Sequence, residues 1–134
     1  MLELTTDHIL YEDDWVLAVN KPSGLLSQGT RDPNRDHLIA ALTRFLEDRD
    51  GLPPYLAMHH RLDLDTSGVL ILAKHKKANK GLSQSFQRRE VGKHYVALST
   101  SPKGANLPES FENHLKLEKK SSGEKPKMIA VHAG

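Results

Sequence analysis

Apolar and polar positions alternate in short runs near the start of the chain. The segments His8–Tyr11 and Trp15–Val19 carry this period of two, which predicts two strands joined by a turn at Asp13 and Asp14. The segment Lys21–Gly24 interrupts the alternation, because its proline and glycine favour a tight turn. The N-terminal part of the chain is therefore expected to begin as a pair of strands.

Two later segments have helical spacing. Asp36 is the expected N-cap of a first helix that reaches about Arg49. Its apolar positions are Leu38, Ile39, Leu42, Phe45 and Leu46. A second helix, which has a basic outer face, is expected to end at Val91 and Gly92. Its narrow apolar stripe consists of Ala78, Leu82 and Phe86.

The remaining apolar runs predict strands and complete the fold class. A strand is expected at Val69–Ala73 between the helices, and another at Tyr95–Leu98 after the second helix. A polar loop at Ser99–Pro108 then leads to a last strand pair, Phe111–Leu117 with Met128–His132. This order of elements predicts an α+β fold with a mixed, mainly antiparallel sheet and two flanking helices.

Length and composition indicate one domain. The 134 residues are 37% hydrophobic and contain no apolar run long enough to span a membrane. The absence of cysteine excludes disulfides, thiolate nucleophiles and cysteine-bound zinc, and it fits a cytoplasmic location. Because the sequence stops just after an apolar strand begins, we expect residues 1–134 to be a single domain that is incomplete at its C-terminal end.

Charge is distributed unevenly although the net charge is only +2. Residues 1–50 carry ten acidic and five basic side chains, whereas residues 51–134 carry seven acidic and fourteen basic ones. The segment Lys74–His94 has seven lysines and arginines against a single acid, Glu90. Such a concentration is typical either of a surface that binds a polyanion or of an ordinary solvated helix face.

The stretch from His60 to Gly68, of sequence HRLDLDTSG, is the main candidate for chemistry. It places a guanidinium at Arg61 and a carboxylate at Asp63 just ahead of the strand predicted at Val69–Ala73. A rigid strand holds a reactive group better than a loop does, and a carboxylate beside a guanidinium suits a nucleophile or an anionic stabiliser. A plain surface ion pair would have the same two residues.

Two other interpretations of this stretch are weaker. Asp63, Asp65, Ser67 and Gly68 fit the first positions of a calcium loop, but Lys74 stands where the loop needs a bidentate glutamate. Asp63, Asp65 and Thr66 also resemble the Asp-x-Asp-x-Thr signature of aspartyl-phosphate phosphotransferases, although the threonine comes one position early. There the apolar strand comes before the motif, whereas here it comes after. The histidines lack the i, i+4 spacing of a helical zinc pair, so no metal is expected.

Three elements in the chain resemble those of the RluA-type RNA pseudouridine synthases. The family signature His-Arg-Leu-Asp-x-x-Thr-Ser-Gly is similar to residues 60–68, with the aspartate catalytic. Residues 20–24, NKPSG, resemble its Asn-Lys-Pro-x-Gly element, and residues 93–97, KHYVA, resemble its Lys-x-Tyr-x-Ala strand. A later Arg-x-His-Gln-Ile/Leu-Arg motif of the family has no match, so the resemblance covers roughly the first half of a catalytic domain.

The resemblance implies isomerisation of uridine to pseudouridine in ribosomal or transfer RNA, with no cofactor. It makes Asp63 the catalytic carboxylate, and it implies that Tyr95 stacks on the target base and that Arg61 fills the space left by the flipped base or contacts a phosphate. The residues expected to contact RNA are Arg61, Tyr95, Thr66, Ser67, Lys74, Lys77, Arg88, Arg89 and Lys93. Two alternatives remain open, a non-catalytic RNA-binding module and an aspartyl-phosphate phosphotransferase.

Overall fold

The structure is a computed structural model that describes residues 3–32, 34–97, 115–120 and 127–132. These residues divide into two compact units, with the boundary in the sequence between His94 and Tyr95. The first unit contains a 3₁₀ turn (Thr6–His8), strands β1 (Ile9–Glu12), β2 (Val16–Lys21), β3 (Ala57–Met58) and β4 (Gly68–Ala73), and helices α1 (Leu38–Asp50) and α2 (Ala78–Gln87). The second contains strands β5 (Leu115–Lys120) and β6 (Lys127–His132). None of the helices in the described part is long and apolar enough to cross a membrane.

The sheet of the first unit has the strand order β1-β2-β4-β3, and every neighbouring pair is antiparallel. In the central pair, Val16 lies opposite Ala73 and Lys21 lies opposite Gly68. The predicted α+β class with an antiparallel sheet and two helices is confirmed. Strand β3 and the 3₁₀ turn were not predicted, because each is too short to show a periodic pattern.

One face of the sheet packs on α1 to form the core. Alternate side chains of β2 and β4 point to this face, and the spacing of the α1 leucines places them opposite. The side chains fully buried between them are Leu17, Val19, Leu70, Leu72, Leu38 and Leu42. Because this core holds β2 and β4 in place, it also fixes where the chain segments enter and leave these two strands.

The first helix does not begin at the cap that the sequence predicts. His37 is the N-cap: its backbone is extended, and its Nδ1 accepts a hydrogen bond from Ala40 N at 3.3 Å. The Asp36 carboxylate instead pairs with Arg44 at 2.8 Å. The prediction of Asp36 as N-cap was wrong, because an imidazole nitrogen accepts the same bond. Gly51 ends the helix in the left-handed region, with φ 75°.

The second helix ends earlier than the predicted Val91 and Gly92. Arg89 takes a left-handed conformation with φ 57°, and its N–H donates to the Phe86 carbonyl at 3.2 Å. Glu90 N donates to the Ser85 carbonyl at 3.0 Å, which completes a Schellman motif. An arginine at this position could not be recognised as a helix stop, because glycine normally occupies it.

The strand predictions after α2 had mixed outcomes. Tyr95, Val96 and Ala97 form no strand, and Val96 is fully exposed. The prediction was wrong for these three residues, because no other described strand pairs with them. Leu98, the loop Ser99–Pro108 and residues 111–114 lie outside the described residues. The last strand pair is confirmed as β5 and β6, which are antiparallel with Leu115 opposite His132.

Candidate active site

Residues 61–67 connect the segment after β3 to the start of β4, and we call them the catalytic turn because they carry Asp63, the candidate catalytic residue. Burial alternates along its first half: Arg61 is exposed, Leu62 is buried in the core, and Asp63 is exposed again. A β-turn follows, in which Thr66 N donates to the Asp63 carbonyl at 3.1 Å. Gly68 then starts β4 with φ 128°, a conformation that favours glycine. The buried leucine thus anchors the turn while Arg61 and Asp63 face solvent.

A second segment, residues 21–27, packs against this turn and donates hydrogen bonds to its main chain, and we call it the clamp. Ser27 Oγ donates to the Leu62 carbonyl at 2.6 Å, and Ser23 Oγ donates to the Asp65 carbonyl at 2.8 Å. Gly24 N donates to the Leu64 carbonyl at 2.9 Å. The catalytic turn is therefore fixed on both sides of Asp63 by hydrogen bonds to its own main chain.

Lys21 is the charged member of the clamp, and its side chain is fully buried. Its ammonium donates to three carbonyls, those of Pro22 at 3.0 Å, Leu25 at 2.7 Å and Leu64 at 3.1 Å. Burial lowers the pKa of Lys21, and the negative charges of Asp65 and Asp63 oppose that shift. A buried cation thus lies below the turn that carries the candidate catalytic carboxylate.

His60 precedes the catalytic turn and ties it to β4. Its Nε2 accepts a hydrogen bond from Ile71 N at 2.9 Å. Its ring stacks on Phe86 of α2, with centroids 4.3 Å apart and an interplanar angle of 23°. Burial lowers the pKa of His60, and the positive charge of Lys93 and the neighbouring His59 lower it further.

The Asp63 carboxylate makes no ion pair or side-chain hydrogen bond with the part of the chain that the structure describes. Arg61 is equally unpaired within those residues, so the simple surface ion pair between the two is not formed. Thr66 is half-buried and Ser67 is exposed beside them. An unpaired carboxylate on a fixed turn is available to react with a bound substrate.

The predicted RNA-contacting cations lie in different surroundings. Lys74 is ion-paired with Glu12, and Lys93 Nζ lies 5.3 Å from the centroid of the Phe86 ring. Arg88 lies 3.9 Å from Glu90, whereas Lys77 is exposed and makes no ion pair with a described residue. Arg89 is exposed at the end of α2. Two of the cations expected to bind phosphates therefore already have a partner: Lys74 pairs with Glu12, and Lys93 lies over the Phe86 ring.

Tyr95, the predicted stacking residue, belongs to the second unit, and 67% of its surface is exposed. An exposed aromatic ring is a suitable platform for a nucleobase.

As for metal sites, the described residues include no group of three or more histidine, aspartate or glutamate side chains that would hold an ion.

Sequence reasoning quoted Lys21 and His60 only as parts of motifs and assigned no role to either. The structure places both on the support of the catalytic turn, Lys21 from below and His60 at its start. A lysine in a proline-glycine turn is typical of an exposed position, so its burial could not be predicted from hydropathy. Likewise, the sequence does not show which of the adjacent histidines, His59 or His60, turns its ring inward, nor that Lys21 does so beside Pro22.

Comparison with known proteins identifies the family. Residues 15–132 match the family model described as RNA pseudouridylate synthase. The dual-specificity RNA pseudouridine synthase RluA of Escherichia coli K12 is 44% identical over 89 residues, which cover 66% of this chain and 38% of the relative. The chain belongs to the RluA-type RNA pseudouridine synthases. The family inferred from residues 20–24, 60–68 and 93–97 is thereby confirmed.

Two further relatives extend this match. The ribosomal large subunit pseudouridine synthase C of Rickettsia felis is 34% identical over 131 residues, covering 98% of this chain and 40% of the relative. Among solved structures, the human RNA pseudouridylate synthase domain containing 4 superposes with a TM-score of 0.51 at 30% identity, covering 63% of this chain and 31% of that one. The present chain therefore spans about two fifths of the length of these sequence relatives.

Proposed function

We propose that the protein isomerises uridine to pseudouridine in structured RNA, with Asp63 as the catalytic carboxylate. The carrying observation is the presentation of Asp63: an exposed carboxylate, without an ion pair among the described residues, on a turn fixed from below. Family membership supports the same assignment, because the signature residues 60–68 form this turn. A module that only bound RNA would gain nothing from such a carboxylate, which repels phosphate.

The reaction breaks the N1–C1′ bond of uridine, turns the uracil and forms a C5–C1′ bond, so that the proton on C5 is released. Asp63 acts at the sugar, either by attack at C1′ or by removal of a sugar proton. A base stacked in RNA must first be flipped out, at a cost of a few kcal/mol. Stacking on Tyr95 offsets about 1–3 kcal/mol of that cost, and Arg61 takes the space that the base leaves.

The proposed RNA surface combines the exposed cations with the hydroxyls of the turn. In this proposal Thr66 and Ser67 contact the nucleotide beside Asp63, while Lys77, Arg88 and Arg89 contact phosphates. Lys74 and Lys93 join them only if RNA displaces their present contacts with Glu12 and Phe86. The substrate class is ribosomal or transfer RNA, and the cytoplasmic location expected from the sequence stays a prediction.

The test is tritium release from RNA labelled at uridine C5, with both ribosomal and transfer RNA as substrates. Asp63→Asn removes the carboxylate while keeping the size of the side chain, and Asp65→Asn is the matched control on the same exposed turn. We expect release by the wild type and by Asp65→Asn, and none by Asp63→Asn, although all three bind RNA.

Three outcomes contradict the proposal. Release by Asp63→Asn would remove this residue from the chemistry, and equal loss in Asp65→Asn would show that the effect is one of general charge. RNA binding by the wild type without any release would favour an RNA-binding module for this chain. RNA affinity measured at several salt concentrations gives the number of phosphate contacts, since each contact changes the log–log slope by about 0.7–0.9.

A further inference from the structure

We call the neck of the catalytic turn the point where His60, just before the turn, lies beside Ile71 of β4. The neck is closed by a side chain and not by hydrogen bonds between the two main chains. Strands β3 and β4 pair at Ala57 with Ala73 and at Met58 with Leu72, and their ladder stops there. The amide of Ile71, which comes next along β4 toward the turn, donates to Nε2 of His60 at 2.9 Å. The imidazole thus takes the place that a carbonyl of the neighbouring strand would otherwise fill.

This hydrogen bond fixes the protonation state of His60. A backbone N–H can only donate, so Nε2 must carry a lone pair, and the ring must be neutral with its proton on Nδ1. Protonation of Nε2 would place two donors against each other and break the bond. The neck of the turn is therefore closed only while His60 is neutral.

The surroundings of the ring favour that neutral form. On the α2 side the ring contacts Phe86, which is uncharged, and Lys93 lies over the same phenyl ring at 5.3 Å. His59 is adjacent in sequence and its Nε2 lies 3.2 Å from Asn79 Oδ1 of α2, while the Ile71 N–H of β4 donates to the imidazole of His60. Burial is the main cause that lowers the pKa of His60, and the positive charge of Lys93 and the neighbouring His59 lower it further.

We propose that His60 is a positioning residue for the uridine isomerisation, whose neutral ring closes the neck of the catalytic turn and keeps Asp63 in place. This inference rests on the proposed function for its catalytic consequence. In its neutral form His60 holds one end of the turn while the clamp holds the middle. On protonation the Ile71 bond is lost, the β-turn between Asp63 and Thr66 loosens, and the carboxylate is no longer held against the substrate.

Two substitutions separate the acceptor from the stacking ring. His60→Gln places an amide oxygen near the position of Nε2, so it accepts from Ile71 but does not titrate. His60→Phe keeps an aromatic ring against Phe86 but has no acceptor. His75→Asn is the control, because it removes another histidine while an oxygen replaces the Nδ1 that accepts from Lys77 N.

The first measurement needs no RNA. Amide hydrogen exchange of Ile71 and Thr66 is followed by NMR as the pH falls from about 7.5 to about 5, and is corrected for the intrinsic rate. We expect protection of both amides to fall about tenfold in the wild type and in His75→Asn, which corresponds to a loss of about 1.4 kcal/mol. His60→Gln should keep its protection across this range, and His60→Phe should lack it throughout.

The second measurement is the tritium release described above, taken as a function of pH. His60→Phe should lower kcat about tenfold with little change in KM, because no proposed RNA contact is removed. His60→Gln should restore most of kcat and lose the acid limb that the wild type shows. This rescue distinguishes an acceptor role from simple packing, which His60→Phe would satisfy better.

Several outcomes overturn the proposal. They are wild-type protection of Ile71 that does not depend on pH, protection in His60→Phe equal to the wild type, and loss of protection in His60→Gln. If His60→Phe does not fold, the wild-type pH series and His60→Gln still decide. Expected exchange results without tritium release from the wild type count against the proposed function alone, since Thr66 then shows that His60 positions the turn.

Discussion

Replacement of Lys21 by methionine removes the buried ammonium while keeping the length of the side chain. The three carbonyls that it binds are affected differently. The Leu64 carbonyl keeps its bond from Gly24 N at 2.9 Å, whereas those of Pro22 and Leu25 have no other donor within the described residues. A buried carbonyl without a partner costs about 1–3 kcal/mol. Lys21→Met therefore leaves the carbonyls of Pro22 and Leu25, next to the catalytic turn, without a hydrogen-bond donor.

The expected loss of stability follows from these two carbonyls. The Leu25 carbonyl lies in a buried position and the Pro22 carbonyl in a half-buried one, so the first stands at the upper end of the range and the second at the lower. The apolar methionine recovers about 1 kcal/mol in the same space. We expect a net loss of about 3 kcal/mol, equivalent to a fall in Tm of about 12 °C for a domain of this size.

Urea unfolding followed by circular dichroism measures this change. With an m-value of about 2 kcal/mol/M, the midpoint should move down by about 1.5 M. Lys76→Met is the matched control, because Lys76 is exposed and its replacement should change stability by less than about 0.5 kcal/mol. Equal midpoints for Lys21→Met and Lys76→Met would refute the reasoning, since they would mean that the buried ammonium contributes no more than a solvated one.

Three further substitutions test the surroundings of the site. Glu12 bonds Arg49 at 2.7 and 2.8 Å and also pairs with Lys74; the Arg49 hydrogen bond is the main cause that lowers the pKa of Glu12 to about 2. Because the folded state holds this carboxylate ionised, its contribution is complete above pH 4.5 and is lost as the pH falls toward 2. Glu12→Gln should cost about 1–2 kcal/mol at neutral pH, since the pairs are partly exposed, and should flatten the acid part of the stability curve; an unchanged curve would contradict this. Gly68→Ala should lower stability by about 1–2 kcal/mol because φ at this position is 128°, whereas Gly81→Ala within α2 should raise it by about 0.5–1 kcal/mol. Thermal unfolding of both variants measures the difference, and a change of the same sign in both would contradict it.

The regular part of the first unit could be predicted because its pattern and its packing agree. The apolar spacing of α1 matches the face it buries, and the alternation of β2 matches its place in the middle of the sheet. Local preference and long-range contact point the same way in these elements.

Prediction failed where a side chain takes a role that another residue type usually has. His37 caps α1 in place of Asp36, and Arg89 ends α2 where glycine is usual. The burial of Lys21 depends on carbonyls that only the folded turn brings within reach, Leu64 being far along the chain. Such roles depend on tertiary geometry, and a one-dimensional pattern does not contain it.

The place of the candidate site along the chain was predicted, but the hydrogen bonds that support it were not. The sequence predicts Arg61 and Asp63 in a polar turn just ahead of a strand, and the structure has them in the turn before β4, with both side chains exposed. Sequence reasoning expected Tyr95 to lie on a strand, and the residue is not in one. What it missed is the set of bonds from Lys21, Ser23, Ser27 and His60, since these residue types are common in loops with no such task.

The clamp has a consequence for how this active site can diverge. Each of its bonds to the catalytic turn ends on the main chain of Leu62, Leu64 or Asp65, and the side chains of the turn take no part. These hydrogen bonds therefore do not depend on which side chain the turn carries at position 64, whereas the charge of Asp65 also acts on Lys21. Under the proposed function, substitution at position 64 changes the surface beside Asp63 while the carboxylate stays where it is. Recognition and support are in this way inherited separately within a few residues of one another.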